Sequence, residues 1–145
     1  MAITLAHYGM AFARDTRSVF GDADAIAAIN PLTRIPALIL DGGEVLIDSA
    51  AIIDHLDECA GPSALTPRSG PARRQILQAV ALAHGTGEKA GAVAYERHFH
   101  TPDTVARLWE ARCLSQARAG LAEMERRLAG DWVCGTAFSH ADVMT

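Results

Sequence analysis

The sequence predicts an α+β fold, in which a short segment of mixed helices and strands is followed by an all-helical segment. The strand signals all lie before residue 62, where two short apolar runs flank the turn sequence Asp-Gly-Gly-Glu at 41–44. From residue 68 onward there is no strand pattern, and apolar residues recur at helical spacing. We therefore predict two domains, 1–62 and 69–145, joined by a linker rich in Gly, Pro and Ser.

The first domain begins with helix-forming sequence. Residues 1–8 are apolar and compatible with a helix that Gly9 ends, because glycine readily adopts the left-handed conformation of a helix C-terminus. Residues 12–19 can be extended, although their alternation of apolar and polar residues is weak. Residues 22–29 form a short helix of Ala and Ile, which ends before Pro31 because proline disfavours helical backbone in the residue that precedes it.

A β-hairpin follows these helices. Residues 37–40 and 45–47 are short apolar strands, and the glycines between them supply the positive φ that tight hairpin turns require. Ser49 then opens a helix with apolar positions at Ile52, Ile53 and Leu56.

The second domain consists of helices. Pro71 suits the first turn of a long helix over residues 72–99. A second helix covers residues 103–128 and ends at Ala129-Gly130. Its predicted apolar face consists of Leu108, Cys113, Ala117, Leu121, Met124 and Leu128.

The start of a last helix is marked by Ser139-His140-Ala141-Asp142. This pattern is typical of a capping box, in which Ser139 and Asp142 each accept a hydrogen bond from a backbone N–H at the helix start.

Charge and cysteine content exclude several classes of protein. The net charge is -4, with 13 basic and 17 acidic residues, whereas nucleic-acid binding needs clustered Lys and Arg. There is no apolar run long enough to span a membrane and no signal-like leader. The three cysteines, Cys59, Cys113 and Cys134, are far apart, which argues against a disulfide framework or a zinc site and favours a reducing cytoplasm.

Ile35-Pro36 lies between a helix and a strand, where a proline would remove a hydrogen-bond donor from the sheet. A cis peptide bond would reverse the backbone locally and leave the N–H and C=O of Ile35 free to pair with a peptide-like ligand. The trans isomer is the commoner state of bonds to proline, so both isomers stay open on these grounds.

Asp48-Ser49 also has two interpretations. These residue types are common helix N-caps, which is a purely structural role. The start of a helix also offers unpaired N–H groups and the positive end of the helix dipole, so Ser49 could bind a ligand carboxylate and Asp48 a ligand ammonium. The hairpin between Pro36 and Asp48 would bring both dipeptides to one edge of the sheet.

The run Asn-Pro-Leu-Thr-Arg-Ile-Pro-Ala-Leu at 30–38, followed by Asp-Ser-Ala-Ala-Ile at 48–52, resembles the glutathione-binding signature of cytosolic glutathione transferases. The capping box at 139–142, preceded by Gly135, resembles the helix-capping motif in the helical domain of that family. The resemblance spans nearly the whole chain. It implies a thioredoxin-like domain followed by an all-helical domain, a cis bond before Pro36 and a cytoplasmic homodimer.

The resemblance also implies roles for individual residues. Ile35 would pair its backbone with the cysteinyl part of glutathione, Ser49 with Asp48 would bind the γ-glutamyl end, and Arg34 could approach the glycyl carboxylate. Glutathione would then be the co-substrate of a transferase that conjugates its thiol to a small hydrophobic electrophile, or that uses it for reduction or isomerisation.

The sequence departs from the family at its ends. Family members begin with a strand and a loop that carries a Ser, Cys or Tyr hydrogen-bonded to the sulfur, and residues 1–8 resemble the later part of the helix that follows. We therefore expect this strand and the catalytic residue to lie before Met1, and the last helices after Thr145. Tyr8 is at the wrong end of its helix to substitute. On this expectation the chain contains no catalytic residue, binds glutathione weakly and turns over slowly.

Other functional interpretations are weaker. His98 and His100 alone make an incomplete metal site. Cys59 has no basic neighbour in the sequence that would activate it as a nucleophile. A non-catalytic binding or interaction module of the same fold is the main alternative to an enzyme, whereas the lack of any Cys-x-x-Cys argues against a glutaredoxin-like redox protein.

Overall fold

The computed structural model describes residues 1–128 and 130–145. The chain divides into two compact units, Met1–Ala64 and Leu65–Thr145, and the boundary lies within the predicted linker. In the described part of the chain, no helix combines the length and apolar character that crossing a membrane would require. Ala129, part of the predicted end of the second long helix, lies outside the described residues.

The first unit is an α+β arrangement with a two-stranded sheet. Its elements are helices α1 (Ala2–His7) and α2 (Ala23–Ala27), strands β1 (Ala37–Ile39) and β2 (Val45–Ile47), helix α3 (Ser49–Ala60) and a 3-10 turn (Gly61–Ser63). The strands are antiparallel. Gly43 in the connecting turn has a φ of 86°, which confirms the predicted need for glycine in the hairpin.

The core of the first unit forms where α1 and the hairpin pack against α3. Ile52 and Leu56 are 0% and 3% exposed and contact Leu5 of α1. Leu38 and Leu46, which are paired across the two strands, pack against this cluster. Burial of each such side chain stabilises the unit by about 1.5–3 kcal/mol before entropy is counted. The apolar face predicted for α3 is therefore correct, and it fixes the start of that helix against the sheet.

Residues 12–19 are not a strand, although the sequence allows an extended segment there. The structure assigns no strand to them, and most of them are exposed. Strands are stabilised by hydrogen-bonded neighbours. Among the described residues, the sheet contains β1 and β2 alone.

The second unit is helical, as predicted. It consists of α4 (Gly70–Phe99), α5 (Arg107–Arg127) and the short α6 (His140–Met144). Pro71 lies in the first turn of α4, where its missing N–H costs no helical hydrogen bond. Helix α4 packs against both α5 and α6, and Ile76, Ala79 and Ala141 form the core cluster of this unit.

The predicted apolar face of α5 is wrong in part. Cys113 and Ala117 are buried, but Leu108, Leu121 and Leu128 are exposed, with Leu108 89% accessible. The residues of α5 that are buried are Glu110, Cys113, Ala117 and Gly120, so the face that packs is narrower and lined by smaller residues.

Close approach of α4 and α5 explains this narrower face. A Cβ added at Gly120 would lie 2.0 Å from Thr86 Oγ1 of α4, so only glycine fits at this contact. At the other end of the contact, Arg97 Nε of α4 donates to Glu110 Oε1 at 2.6 Å, which provides a partner for the buried carboxylate. Small residues and this ion pair, rather than a stripe of leucines, define the α4–α5 interface.

Candidate functional site

The hairpin brings the two predicted ligand-binding dipeptides to the same end of the sheet. Strand β1 begins one residue after Pro36, and β2 ends one residue before Asp48. Ala37 pairs with Ile47 across the strands. Ile35-Pro36 directly precedes the first of these paired residues, and Asp48-Ser49 directly follows the second. We call these four residues the corner.

The backbone at the first dipeptide has the expected isomer. The Ile35–Pro36 peptide bond is cis. Ile35 is 62% exposed, so this residue lies at the surface of the first unit. Physical reasoning from the sequence left both isomers open, and only the family resemblance implied the cis bond.

The second dipeptide caps helix α3. Asp48 has a φ of 72° and its Oδ1 accepts a hydrogen bond from Ala50 N at 2.8 Å. Asp48 is therefore the N-cap of α3, which is the structural role that its residue type predicts. Ser49 is the first residue of the helix and is half-buried, while Asp48 is exposed. The Asp48 carboxylate places negative charge at this helix start, which favours an incoming ammonium group next to it.

The loop before Ile35 is organised by Asn30, the first residue of the signature run 30–38, for which the sequence predicts no individual role. Asn30 is 2% exposed. Its Oδ1 accepts from Leu32 N at 3.0 Å, and its Nδ2 donates to the Arg34 carbonyl oxygen at 2.8 Å. The first of these bonds is an Asx turn, a pattern that an Asn-Pro-x sequence favours. The second bond depends on burial and could not be predicted from spacing.

The remaining candidates of the first unit are less central. Arg34 is exposed, and its role toward a ligand carboxylate stays a prediction. The Tyr8 hydroxyl donates to Asp57 Oδ1 of α3 at 2.5 Å. This bond gives Tyr8 a structural role within the first unit.

The first unit also matches a known protein family. Residues 1–64 match the family described as glutathione S-transferase, N-terminal domain, and this match covers the corner and the whole first unit. The chain belongs to the glutathione S-transferase family.

Relatives and solved structures agree with this membership. The chain is 36% identical over 125 residues to the maleylacetoacetate isomerase of Pseudomonas aeruginosa, an alignment that covers 82% of the chain and 57% of that protein. It is 29% identical over 129 residues to the probable maleylacetoacetate isomerase 1 of Drosophila melanogaster, with 88% and 51% covered. The chain thus spans little more than half the length of these two relatives.

Solved structures of the family share the fold. A glutathione S-transferase from Methylobacterium radiotolerans, in complex with glutathione sulfonate, matches with a TM-score of 0.90 and 26% identity over 98% of this chain and 67% of its own. A family member from Pseudomonas fluorescens with bound glutathione matches with a TM-score of 0.75 and 34% identity, with 86% and 62% covered.

The motif in the second unit of this transferase-family chain is a complete capping box. Ser139 Oγ accepts from Ala141 N at 3.2 Å, and Asp142 Oδ2 accepts from Ser139 N at 2.8 Å and from Ser139 Oγ at 2.9 Å. Asp142 Oδ1 also accepts from Val133 N at 2.7 Å, which joins the preceding loop to the helix. Ser139 and Asp142 therefore have a structural role, as predicted.

The structure also describes the surroundings of the candidate thiol and the possible metal-binding groups. Cys59 is exposed, and its Sγ lies 3.6 Å from His55 Nε2. The expectation that Cys59 lacks a basic neighbour is therefore wrong, and the i, i+4 spacing on a helix would have revealed the pair. Among the described residues, no group of three or more His, Cys, Asp or Glu side chains could bind a metal ion.

Proposed function

We propose that the corner binds glutathione and that the protein is a glutathione-dependent enzyme. It conjugates the glutathione thiol to a small hydrophobic electrophile or uses glutathione in a reduction or isomerisation. The observation that carries this proposal is the hairpin register, which brings Ile35-Pro36 and Asp48-Ser49 to one end of the sheet. Support comes from family members crystallised with glutathione or glutathione sulfonate and from the relatives named as isomerases.

Each corner residue has a group that suits one part of the ligand. Glutathione is a tripeptide, and the backbone of Ile35, an exposed residue, can pair with its central peptide units as a neighbouring strand would. The γ-glutamyl end has both an ammonium and a carboxylate. The Asp48 carboxylate attracts the ammonium, while the Ser49 hydroxyl and the N–H groups at the start of α3 donate hydrogen bonds to the carboxylate. Arg34 offers a cation for the glycyl carboxylate at the other end.

The proposed reaction begins at the glutathione sulfur. A conjugation forms a bond between this sulfur and a carbon of the electrophile, and the reactive species is the thiolate. A free thiol has a pKa of roughly 8.5 and is mostly protonated at neutral pH. We propose that the corner contributes to the rate by binding the peptide and holding its sulfur close to the electrophile.

Assembly and location complete the proposal. We propose that the protein acts as a cytoplasmic homodimer in detoxification or a related pathway step, as the family resemblance implies. Analytical ultracentrifugation of the purified chain tests the dimer, because a species of twice the mass of 15.4 kDa is expected. A single species at the monomer mass at all concentrations would refute it.

Binding is tested with calorimetric titration of glutathione into the wild-type chain and into Ser49→Ala. We expect the variant to bind about 10- to 100-fold more weakly, since one hydrogen bond to a charged group contributes roughly 1.5–3 kcal/mol. Ser69→Ala is the matched control, because Ser69 also lies at a helix start but its side chain makes no capping bond. Absence of binding by the wild type, or equal affinity in Ser49→Ala, would refute the assignment.

Activity needs a separate assay with a chromogenic electrophile. An enzyme is expected to accelerate conjugation at saturating glutathione, and Ser49→Ala should raise the KM for glutathione. Binding without any rate above the uncatalysed reaction would instead favour a non-catalytic glutathione-binding module.

A further inference from the structure

The loop that precedes Ile35 folds around one buried amide. Asn30 is 2% exposed, and a polar side chain is rarely buried so fully unless its hydrogen bonds are made. Both ends of the amide are used, since Oδ1 accepts from Leu32 N and Nδ2 donates to the Arg34 carbonyl. The backbone carbonyl of Asn30 also accepts from Thr33 N at 2.8 Å. Three consecutive residues of the loop are therefore tied to Asn30.

The amide orientation is unambiguous. One partner is a backbone N–H and the other is a carbonyl oxygen, so exchanging Oδ1 and Nδ2 would set donor against donor and acceptor against acceptor. The loop needs this support because Thr33 has a φ of 51°, a left-handed conformation that costs free energy in a β-branched residue.

The bond to the Arg34 carbonyl also determines the direction of the Ile35 N–H. These two groups belong to one planar trans peptide, in which the C=O and the N–H point in opposite directions. Because the Arg34 oxygen points inward to the buried Nδ2 of Asn30, the Ile35 N–H points away from it. Within the described residues, the backbone of Ile35 makes no hydrogen bond, so this N–H is available to a ligand.

We propose that Asn30 is a positioning residue for glutathione binding: its amide orients the Arg34–Ile35 peptide so that the Ile35 N–H faces the ligand. This inference rests on the proposed glutathione site. It concerns a residue that does not touch the ligand and acts through a single peptide plane.

The decisive variant is Asn30→Asp. Aspartate has nearly the same size and keeps an acceptor for Leu32 N, but it places an acceptor against the Arg34 carbonyl, so the peptide must turn away. The matched control is Tyr8→Phe, which removes the Tyr8–Asp57 hydrogen bond from the same unit but leaves the loop intact. Both variants lower stability, and only the first disturbs the Ile35 N–H.

The measurement is the dissociation constant for glutathione, by calorimetry well below the melting temperature of each variant, with Ser49→Ala in parallel. We expect about tenfold weaker binding in Asn30→Asp, the loss of roughly one hydrogen bond to the ligand, and unchanged binding in Tyr8→Phe. If Asn30→Asp does not fold, the double variant with Thr33→Gly is used, because glycine relieves the left-handed strain at residue 33. Its dissociation constant for glutathione is then compared with that of the single Thr33→Gly variant.

The outcomes separate the two proposals. If the wild type and Ser49→Ala behave as the proposed function requires but Asn30→Asp binds as tightly as wild type, the positioning role is refuted and the site survives. Equal losses in Asn30→Asp and Tyr8→Phe would also refute it, because the effect would follow stability alone. If the wild type does not bind glutathione, both proposals fail together.

Discussion

Removal of the Asp142 side chain should destabilise the second unit more than any other surface carboxylate substitution there. In the native structure this carboxylate accepts hydrogen bonds from Val133 N at 2.7 Å, from Ser139 N at 2.8 Å and from Ser139 Oγ at 2.9 Å. It is half-buried, so water only partly replaces these bonds in Asp142→Ala.

The expected magnitude follows from those bonds. Loss of a helix N-terminal cap costs about 1 kcal/mol, and a buried N–H left without a partner costs about 1–3 kcal/mol. The terms are not additive, so we expect a loss of about 3 kcal/mol. In a domain of 60–100 residues, each 1 kcal/mol lowers Tm by roughly 4–8 °C, which predicts a drop of about 12–24 °C.

The assay is urea and thermal unfolding followed by far-ultraviolet circular dichroism. Asp103→Ala is the control, because Asp103 is an exposed carboxylate of the same unit. Asp142→Asn should lose less than Asp142→Ala, since one amide oxygen can still accept from Val133 N or Ser139 N. A melting temperature of Asp142→Ala within a degree or two of wild type would refute the reasoning, as would equal effects of Asp142→Ala and Asp103→Ala.

Two further predictions concern α5. Hydrogen bonds from Arg126 and Arg127 lower the pKa of the half-buried Glu123 carboxyl from 4.5 to about 2. This carboxylate therefore stabilises the fold at pH values above 4.5 and loses that contribution as pH falls through about 2. Acid titrations should therefore show wild type slightly more stable than Glu123→Gln at pH 6 and equal to it below pH 2; a difference that grew on acidification would contradict this. Gly120→Ala should destabilise the second unit by about 1–3 kcal/mol through its clash with Thr86, and Thr86→Ala should recover part of the loss in urea unfolding; no recovery in the double variant would contradict the assigned contact.

Local motifs were predictable from the sequence because they depend on few neighbours. The hairpin turn and the capping box at Ser139 and Asp142 are defined by residues within a few positions of each other, and both are present. The starts and ends of α4 and α5 fall within a few residues of the predicted bounds for the same reason.

Features that depend on tertiary packing were not predictable. The exposed Leu121 and buried Gly120 reverse what hydrophobicity alone predicts, because Thr86 of the facing helix sets how closely α5 approaches. The role of Asn30 within the signature run 30–38 is not predictable from the sequence, since its bond to the Arg34 carbonyl requires the loop to fold back over a buried amide. The isomer at Pro36 was likewise left open by local physics.

The most direct measurement of the central claim is a ¹H–¹⁵N NMR titration of the labelled chain with glutathione. The amides of Ile35, Ser49 and Ala50 are expected to shift saturably, whereas the amides of the capping box at 139–142 should not shift. Resonances at the corner that stay unchanged at millimolar glutathione, or shifts confined to other parts of the chain, would contradict it.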